Sequence, residues 1–533
     1  MSAAVAPFPT RRARNGMVTT IDHLASSAGL QMLLAGGSAA DAAVAANAVL
    51  AVTAQYMCGM GGDLFALVHL PGGDGRPLAL NASGRAGSGA DPNRLRDEGQ
   101  AHMPSAGDIR SVPVPGCVDG WLALHGRLGR LELRDVLEPA RALAEDGFAA
   151  TSGMAAAAAR VAGAPGGEDY REAGQLVAGT VIRRPGVARA LAAIGSEGRD
   201  GWYGGEFGAN LLTLGDGEYE ASDLEQDLAE WVDPLGLDVW SHRLWTIPPN
   251  SQGYLTLASA WIASAFDLGE PDDSRWAHLL VESCRQAGWD REQVLHEGAD
   301  GEALLSTARL IPRRETIDSE RAGTLGWPET VPGTTSLCAV DSNGMGVSLI
   351  QSNAAGFGSG LVVPGVRVFL QNRGVGFSLV PGHPAEYGPG KRPPHTLAPA
   401  LVTNPDGSLR LLANTMGGDS QPQVLTQLLA RHLVAGQGIG QTMASGRWRL
   451  RSAGPNFSGF DTWREGGAGV MVEIEGHAPA EWDAGLVRRG HQVARLAAFD
   501  GGFGHAELIG MDPNGNYAGA ADPRALGSGV AAY

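Results

Sequence analysis

The chain has 533 residues, of which 44% are hydrophobic and 18% charged, so it can bury a large core; its 78 glycines call for many tight turns and close backbone approaches. Forty lysines and arginines against 57 aspartates and glutamates give a formal charge of −17, a surface that repels phosphate backbones and argues against nucleic acid as a partner. The four cysteines (Cys58, Cys117, Cys284 and Cys338) form no C-x-x-C pair, which removes zinc-ribbon and thioredoxin-like readings.

The N-terminal stretch has no apolar segment ahead of its basic residues, so it does not read as a secretory signal, and the cluster Arg11–Arg14 reads as a solvated tail. No apolar run is long enough to cross a bilayer. With scattered single cysteines, this predicts a soluble, cytoplasmic protein with no membrane partner.

From residue 22 the pattern becomes helical. "DHLASSAGLQMLLAGG" has an Asp22 cap and a Gly36-Gly37 stop; "SAADAAVAANAVLAV" follows, with Ser38 and Asp41 spaced as a capping box ahead of an alanine-rich, close-packing helix. "GMGGDLFALVHL" reads as a buried strand bounded by glycines. Two helical patterns with a polar break span "GCVDGWLALHGRLGRLELRDVLEPARALAEDGFA", and residues 151–320 read as mostly helical. "WTIPPNSQGYLTLASAWIASAF" reads as strand, proline-rich turn and helix.

After Gly333 short strands dominate to about residue 415. "QPQVLTQLLARHLVAG" is a helix, and "HAELIGMDPNGNYAGAADPR" a hairpin turning at Asn-Gly. Helices first and strands later predict an α+β layered fold with one continuous core.

The stretch "VPGTTSLCAVDSNGMGVSLIQSN", 331–353, is also a hairpin. With Asn343-Gly344 at the centre of a two-residue turn, Thr335 faces Ser352 and Thr334 faces Asn353. Cross-strand Thr–Ser pairs are ordinary sheet stabilisers, and these residues alone admit that reading. A second reading is chemical. A threonine hydroxyl needs activation. If the Gly333–Thr334 bond breaks, the new α-amine of Thr334, titrating near pH ~8, lies beside its own hydroxyl and can act as general base. Nucleophile and base then reside in one residue, and no separate Ser/His/Asp set is required.

Ordered motifs along nearly the whole chain carry a resemblance: "CGMGGDLFALVHL", "PVPGCVDGW", "EPARALAEDGF", "IPPNSQG", "GTTSLCAVDSNGMGVSLIQSNAAGFGSG", "PGKRPPHTLAPA", "TMGGDSQPQ" and "GAADPR". The chain resembles the gamma-glutamyltransferase (glutathione hydrolase) family of N-terminal nucleophile (Ntn) hydrolases, which have a threonine nucleophile. The resemblance implies a four-layer αββα sandwich. It implies a precursor that cuts itself between Gly333 and Thr334 into a large subunit, 1–333, and a small subunit, 334–533. Thr334 is then the nucleophile, Ser352 the hydroxyl that helps hold it, and Gly417 and Gly418 the backbone donors of an oxyanion hole. Such donors contribute roughly 3–4 kcal/mol each to the transition state. The processed pair could itself form a homodimer.

The substrate pocket departs from the family pattern. Ser83 stands where an arginine normally takes the γ-glutamyl carboxylate, and Arg85 lies two residues later. The groups that meet the α-amine become Ala354, Arg373 and Gly376, and a paired Ser-Ser becomes His395-Thr396. A guanidinium at 373 repels an ammonium and attracts a carboxylate. The pocket therefore reads as one for a small amide bearing a carboxylate and no α-amine, resembling the oxamate amidohydrolase branch, with Arg373, His395, Thr396, Asn353 and Arg85 as candidate substrate ligands and water or an amine as acceptor. A true γ-glutamyl transferase using Arg85, or an uncleaved binding protein, are the rival readings. "GMGGDL" lacks G-x-G-x-x-G spacing and no H-E-x-x-H occurs, so neither cofactor nor metal is expected.

Overall fold

A computed structural model describes residues 9–324, 333–452 and 470–533. Residues 1–8 and Val331-Pro332, parts of two stretches read above, lie outside these ranges.

Fourteen strands build two antiparallel sheets of seven. In chain order they are β1 (Arg11–Ala13), β2 (Met17–Thr20), β3 (Asp63–His69), β4 (Leu78–Ala82), β5 (Glu230–Val232), β6 (Leu235–Val239), β7 (His242–Thr246), β8 (Thr334–Val340), β9 (Gly346–Ser352), β10 (Ala400–Thr403), β11 (Leu409–Thr415), β12 (Ala506–Met511), β13 (Tyr517–Ala520) and β14 (Gly529–Ala532). One sheet runs β14-β2-β8-β9-β3-β4-β5 and the other β1-β13-β12-β11-β10-β7-β6. Each sheet therefore takes strands from both sides of the Gly333–Thr334 bond.

Strand periodicity creates the layers. Leu64, Ala66, Val68, Leu337, Ala339, Val347 and Leu349 face helices α1 (His23–Leu34), α2 (Ala39–Thr53), α3 (Cys117–Leu128) and α4 (Leu133–Asp146). The alternate residues Phe65, Leu67, Cys338, Val340 and Ile350 face Leu401, Leu412 and Ile509 of the other sheet. That sheet's outer residues, Val402, Leu411, Ala413 and Leu508, pack on α5 (Tyr254–Ala263) and α7 (Gln421–Leu433), while α6 (Ser274–Gly288) packs in a further apolar cluster beyond. This is an αββα arrangement. The single continuous core expected from sequence is instead divided, because each sheet backbone separates the apolar residues on its two faces.

The caps fall where the sequence places them. The Asp22 side chain accepts from the Leu24 N–H at 2.9 Å. Ser38 and Asp41 form a reciprocal capping box. Asp41 also accepts from the Arg130 N–H at 2.9 Å, tying the start of α2 to the connection between α3 and α4. All of α2 is buried, and its alanines allow that close approach.

Three expectations need correction. The helical reading of residues 151–320 is incomplete, because among their helices lie β5 and β6, which are edge strands of the two sheets, and β7, which joins β6 to β10. Arg11–Ala13 is not a free tail but edge strand β1, paired with β13, where exposed arginines blunt a sheet edge. The β8–β9 hairpin is shifted by one residue: Thr334 pairs with Ser352 and Thr335 with Gln351. The cause is local. Asp341 Oδ1 accepts from the N–H groups of Asn343 and Met345, which builds a wider loop with Gly344 at φ +89° instead of a two-residue turn. Among the described residues no helix is long and apolar enough to cross a membrane.

Candidate active site

The register of three strands lines up three polar side chains. Thr334 opens β8 opposite Ser352 at the end of β9, and Ser352 pairs in turn with Asp63 at the start of β3. All three share the face turned to the other sheet, and all are buried. Thr334 Oγ1 lies 3.0 Å from Ser352 Oγ. The Ser352 hydroxyl donates to the carbonyl oxygen of Gly333, and Ser352 Oγ accepts from the Ala354 N–H at 2.8 Å. With its own proton on Gly333, Ser352 can only accept from Thr334. The junction peptide is thus held between two hydroxyls. A Cβ at residue 333 would lie 2.1 Å from the Gly356 nitrogen, so this approach requires glycine.

In the other sheet, β11 ends and the chain passes through Met416 into Gly417 and Gly418. Their φ angles are +145° and +56°, conformations that favour glycine. They precede α7, whose helix dipole favours negative charge at its start; its first residue, Gln421, donates its N–H to the Gly418 carbonyl and its second is Pro422. The Gly417 carbonyl is fixed by Ser420 Oγ at 2.7 Å and the Gly418 carbonyl by Gln252 Nε2 at 2.9 Å.

Arg373 is buried, and its Nη1 donates to Thr396 Oγ1 at 3.1 Å. Burial pulls its guanidinium down to about 10, with Asp419 opposing that shift, so it remains a cation at neutral pH. Asp419 is in turn ion-paired to buried Arg291 at 2.8 Å. His395 is also buried. Its Nε2 donates to Asp63 Oδ2 at 3.1 Å, and its Nδ1 accepts from the Leu397 N–H at 3.3 Å. Burial drives it down to about 4, so the contact with Asp63 is a hydrogen bond from a neutral ring, not an ion pair. Asp63 Oδ1 accepts further from the Gly84 N–H and Gln371 Nε2, both at 2.8 Å.

The candidate ligands therefore divide. Arg373 and Thr396 touch each other. His395 has both ring nitrogens committed to protein groups, which makes it a support rather than a free ligand. Asn353 donates from Nδ2 to the Gln55 carbonyl at 3.4 Å and packs its amide against Gly59 and Gly62. Arg85 stands apart: its Nη1 binds Glu297 at 2.7 Å and the Gly390 carbonyl at 2.8 Å, and its Nη2 binds Glu230 at 3.2 Å. Two carboxylates already answer its charge. Ser83, at the family's arginine position, is buried and bonded to Asn81 at 2.8 Å.

Sequence reasoning passed over Asp63, Gln252, Arg291 and Asp419. Asp63 carried a signal: it is a carboxylate heading a strand that is otherwise apolar up to His69. The other three gain meaning only through partners distant in sequence. The four thiols are free and buried, and burial pushes Cys58 and Cys284 up to about 12, which leaves them unreactive. Among the described residues, one group of side chains has the composition of a metal site: His278, Glu282 and His491, on α6 and just ahead of the strand Gln492–Arg495. Its atoms are occupied by one another and by protein groups, with His278 Nδ1 2.8 Å from His491 Nε2 and Glu282 bound to Arg285 and the Gly323 N–H.

Comparison with known proteins gives a consistent picture. A family model described as Gamma-glutamyltranspeptidase matches residues 25–532. The chain is 34% identical to the oxamate amidohydrolase proenzyme of Klebsiella pneumoniae, over 96% of this chain and 98% of that protein. It is 33% identical to the glutathione hydrolase-like YwrD proenzyme of Bacillus subtilis, with the same coverage of 96% and 98%. Among solved structures, a cephalosporin acylase from Bacillus halodurans superposes with a TM-score of 0.89 at 32% identity, covering 100% of this chain and 98% of that one.

Proposed function

The chain belongs to the gamma-glutamyltranspeptidase family of Ntn amide hydrolases, and on that premise we propose that it cuts itself at Gly333–Thr334 and then hydrolyses a small amide bearing a carboxylate and no α-amine, with oxamate as the type substrate. The observation that carries the reading is the pair of hydroxyls at the junction, Thr334 Oγ1 and Ser352 Oγ, with the Ser352 proton on the Gly333 carbonyl.

In self-cleavage, Thr334 Oγ1 attacks the Gly333 carbonyl carbon. Ser352 donates to the oxygen that gains negative charge. The hydroxyl proton passes to the Thr334 nitrogen as the C–N bond breaks, leaving an ester that water hydrolyses. The products are the large subunit, 1–333, ending in a carboxylate, and the small subunit, 334–533, beginning with a free amine.

In turnover that amine takes the Thr334 hydroxyl proton while Oγ1 attacks the substrate carbonyl. The N–H groups of Gly417 and Gly418 receive the oxyanion. The amine gives its proton to the departing nitrogen, so ammonia or an amine leaves and an acyl ester remains. Water, or an amine acceptor, then resolves the ester. Arg373 takes the carboxylate: it is a buried cation beside Thr396, and a carboxylate there gains charge-assisted hydrogen bonds. The name of the Klebsiella relative supports this choice of substrate. Ammonia release from oxamate, set against p-nitroaniline release from γ-glutamyl-p-nitroanilide, tests it. Turnover of the γ-glutamyl compound alone would overturn the carboxylate-only pocket.

A further inference from the structure

We propose that Gln252 is a positioning residue that links the grip on the substrate carboxylate to the geometry of the oxyanion hole. This inference rests on the roles given above to Arg373, Gly417 and Gly418.

Gln252 is fully buried in the turn between β7 and α5. Its Nε2 donates to two carbonyls, Thr396 at 2.7 Å and Gly418 at 2.9 Å. A primary amide has two N–H donors in one rigid plane, so both carbonyls are held at a fixed separation. One belongs to the residue whose hydroxyl accepts from Arg373. The other belongs to Gly418, which takes the oxyanion role at φ +56° and whose carbonyl accepts also from the Gln421 N–H, so that Gln252 supplies the contact that reaches it from outside its own turn. A continuous chain therefore runs from Arg373 through Thr396 and Gln252 to Gly418.

The backbone around Gln252 is itself locked to the segment 395–397 through an isolated bridge between Ser251 and His395. Its N–H donates to the His395 carbonyl at 2.9 Å, the His395 N–H donates to the Asn250 carbonyl at 2.8 Å, and Ser251 Oγ donates to the Leu397 carbonyl. The amide is thus aimed from a rigid base. Gln252 Oε1 is buried and has no hydrogen-bond partner among the described residues.

Two variants of the processed enzyme test this. Gln252→Leu removes both donors. Gln252→Glu keeps the shape but presents an acceptor to two carbonyls, and regains one donor when protonated. Thermal unfolding and a denaturing gel first establish folding and self-cleavage. The first readout is acylation of Thr334 by p-nitrophenyl acetate, followed by intact mass; it needs the oxyanion donors and no carboxylate. Both variants should slow it about 10²-fold at neutral pH. Gln252→Glu should recover as pH falls, a trend absent in the parent. The second readout is the preference for oxamate over oxamide, its uncharged analogue, which Gln252→Leu should collapse.

Acylation within twofold of the parent in both variants, or a Gln252→Glu profile parallel to the parent, overturns the proposal. Slowed acylation with an unchanged oxamate preference overturns the link to the carboxylate. If the parent hydrolyses neither oxamate nor oxamide while the variants still acylate slowly, the substrate reading fails and the hold of Gln252 on Gly418 stands.

Discussion

Thr334 and Ser352 are direct cross-strand partners with hydroxyl oxygens 3.0 Å apart, and Ser352 donates onward to the carbonyl that precedes Thr334. In the proposed self-cleavage, one serine thus touches both the attacking oxygen and the oxygen that gains charge. Ser352→Ala should slow processing, visible as persisting full-length chain on a denaturing gel. A serine-to-alanine change at such a donor costs about 10²–10³ in rate. Processing at the parent rate would rule out this role.

Glycine at 333 has a steric reason, since an added Cβ would lie 2.1 Å from backbone nitrogen of Gly356. Gly333→Ala must displace the junction from Ser352. A displacement of this size lowers the cleavage rate by about tenfold or more. A time course of subunit appearance checks this, with Thr334→Ala as the uncleaved reference.

Arg373→Gln removes the cation but keeps a planar donor. Hydrogen bonds to charged groups contribute about 1.5–3 kcal/mol, so KM for oxamate should rise about 10- to 100-fold while acylation by an uncharged ester stays near the parent rate. Arg373→Lys should recover only part of the loss, because an ammonium cannot form the paired contact. By contrast Arg85→Ala should leave oxamate turnover near the parent value, since Arg85 is committed to Glu230 and Glu297. Abolition by Arg85→Ala would instead favour the γ-glutamyl reading.

His395 carries a pH dependence whose sign is fixed. Burial lowers its folded value to about 4, below the unfolded value of about 6.5. Between these limits the unfolded chain binds more protons, so lowering pH removes stability, by at most about 3 kcal/mol once below the folded value. Urea midpoints measured from pH 7.5 to 4.5 should fall more steeply for the parent than for His395→Asn. Equal slopes would show that His395 does not titrate in this way.

Asp63 collects donors from the Gly84 N–H, Gln371 and His395. Asp63→Asn replaces one acceptor oxygen with a donor and sets it against at least one of them. A loss of about 1–3 kcal/mol follows, measurable as a lower urea midpoint at neutral pH. An unchanged midpoint would mean that these contacts add little to folding.

The parts of the molecule that were legible from sequence are those fixed by near neighbours. The Asp22 cap, the Ser38–Asp41 box, the buried strand starting at Asp63 and the turn between β12 and β13 depend on residues within a few positions of one another. The hairpin register was missed by one residue because Asp341, just outside the Asn-Gly pair, captures two N–H groups and widens the loop. Arg85 resembled a substrate ligand because Glu297 and Glu230, which answer its charge, lie far along the chain. Gln252 gave no sign at all, since both its acceptors come from segments more than a hundred residues away.

The weave of the two sheets has a mechanical corollary. β8 begins at the bond proposed to break, yet it hydrogen-bonds on one side to β2, from before that bond, and on the other to β9, from after it. The C-terminal strand β14 closes the same ladder by pairing with β2. Scission at residue 333 would therefore free a chain end without freeing a body: the two fragments stay interleaved like fingers of clasped hands, and can part only if the whole molecule unfolds. Mixing the two separately made pieces after each has settled into its own shape should fail to regenerate what a single uncut chain forms at once.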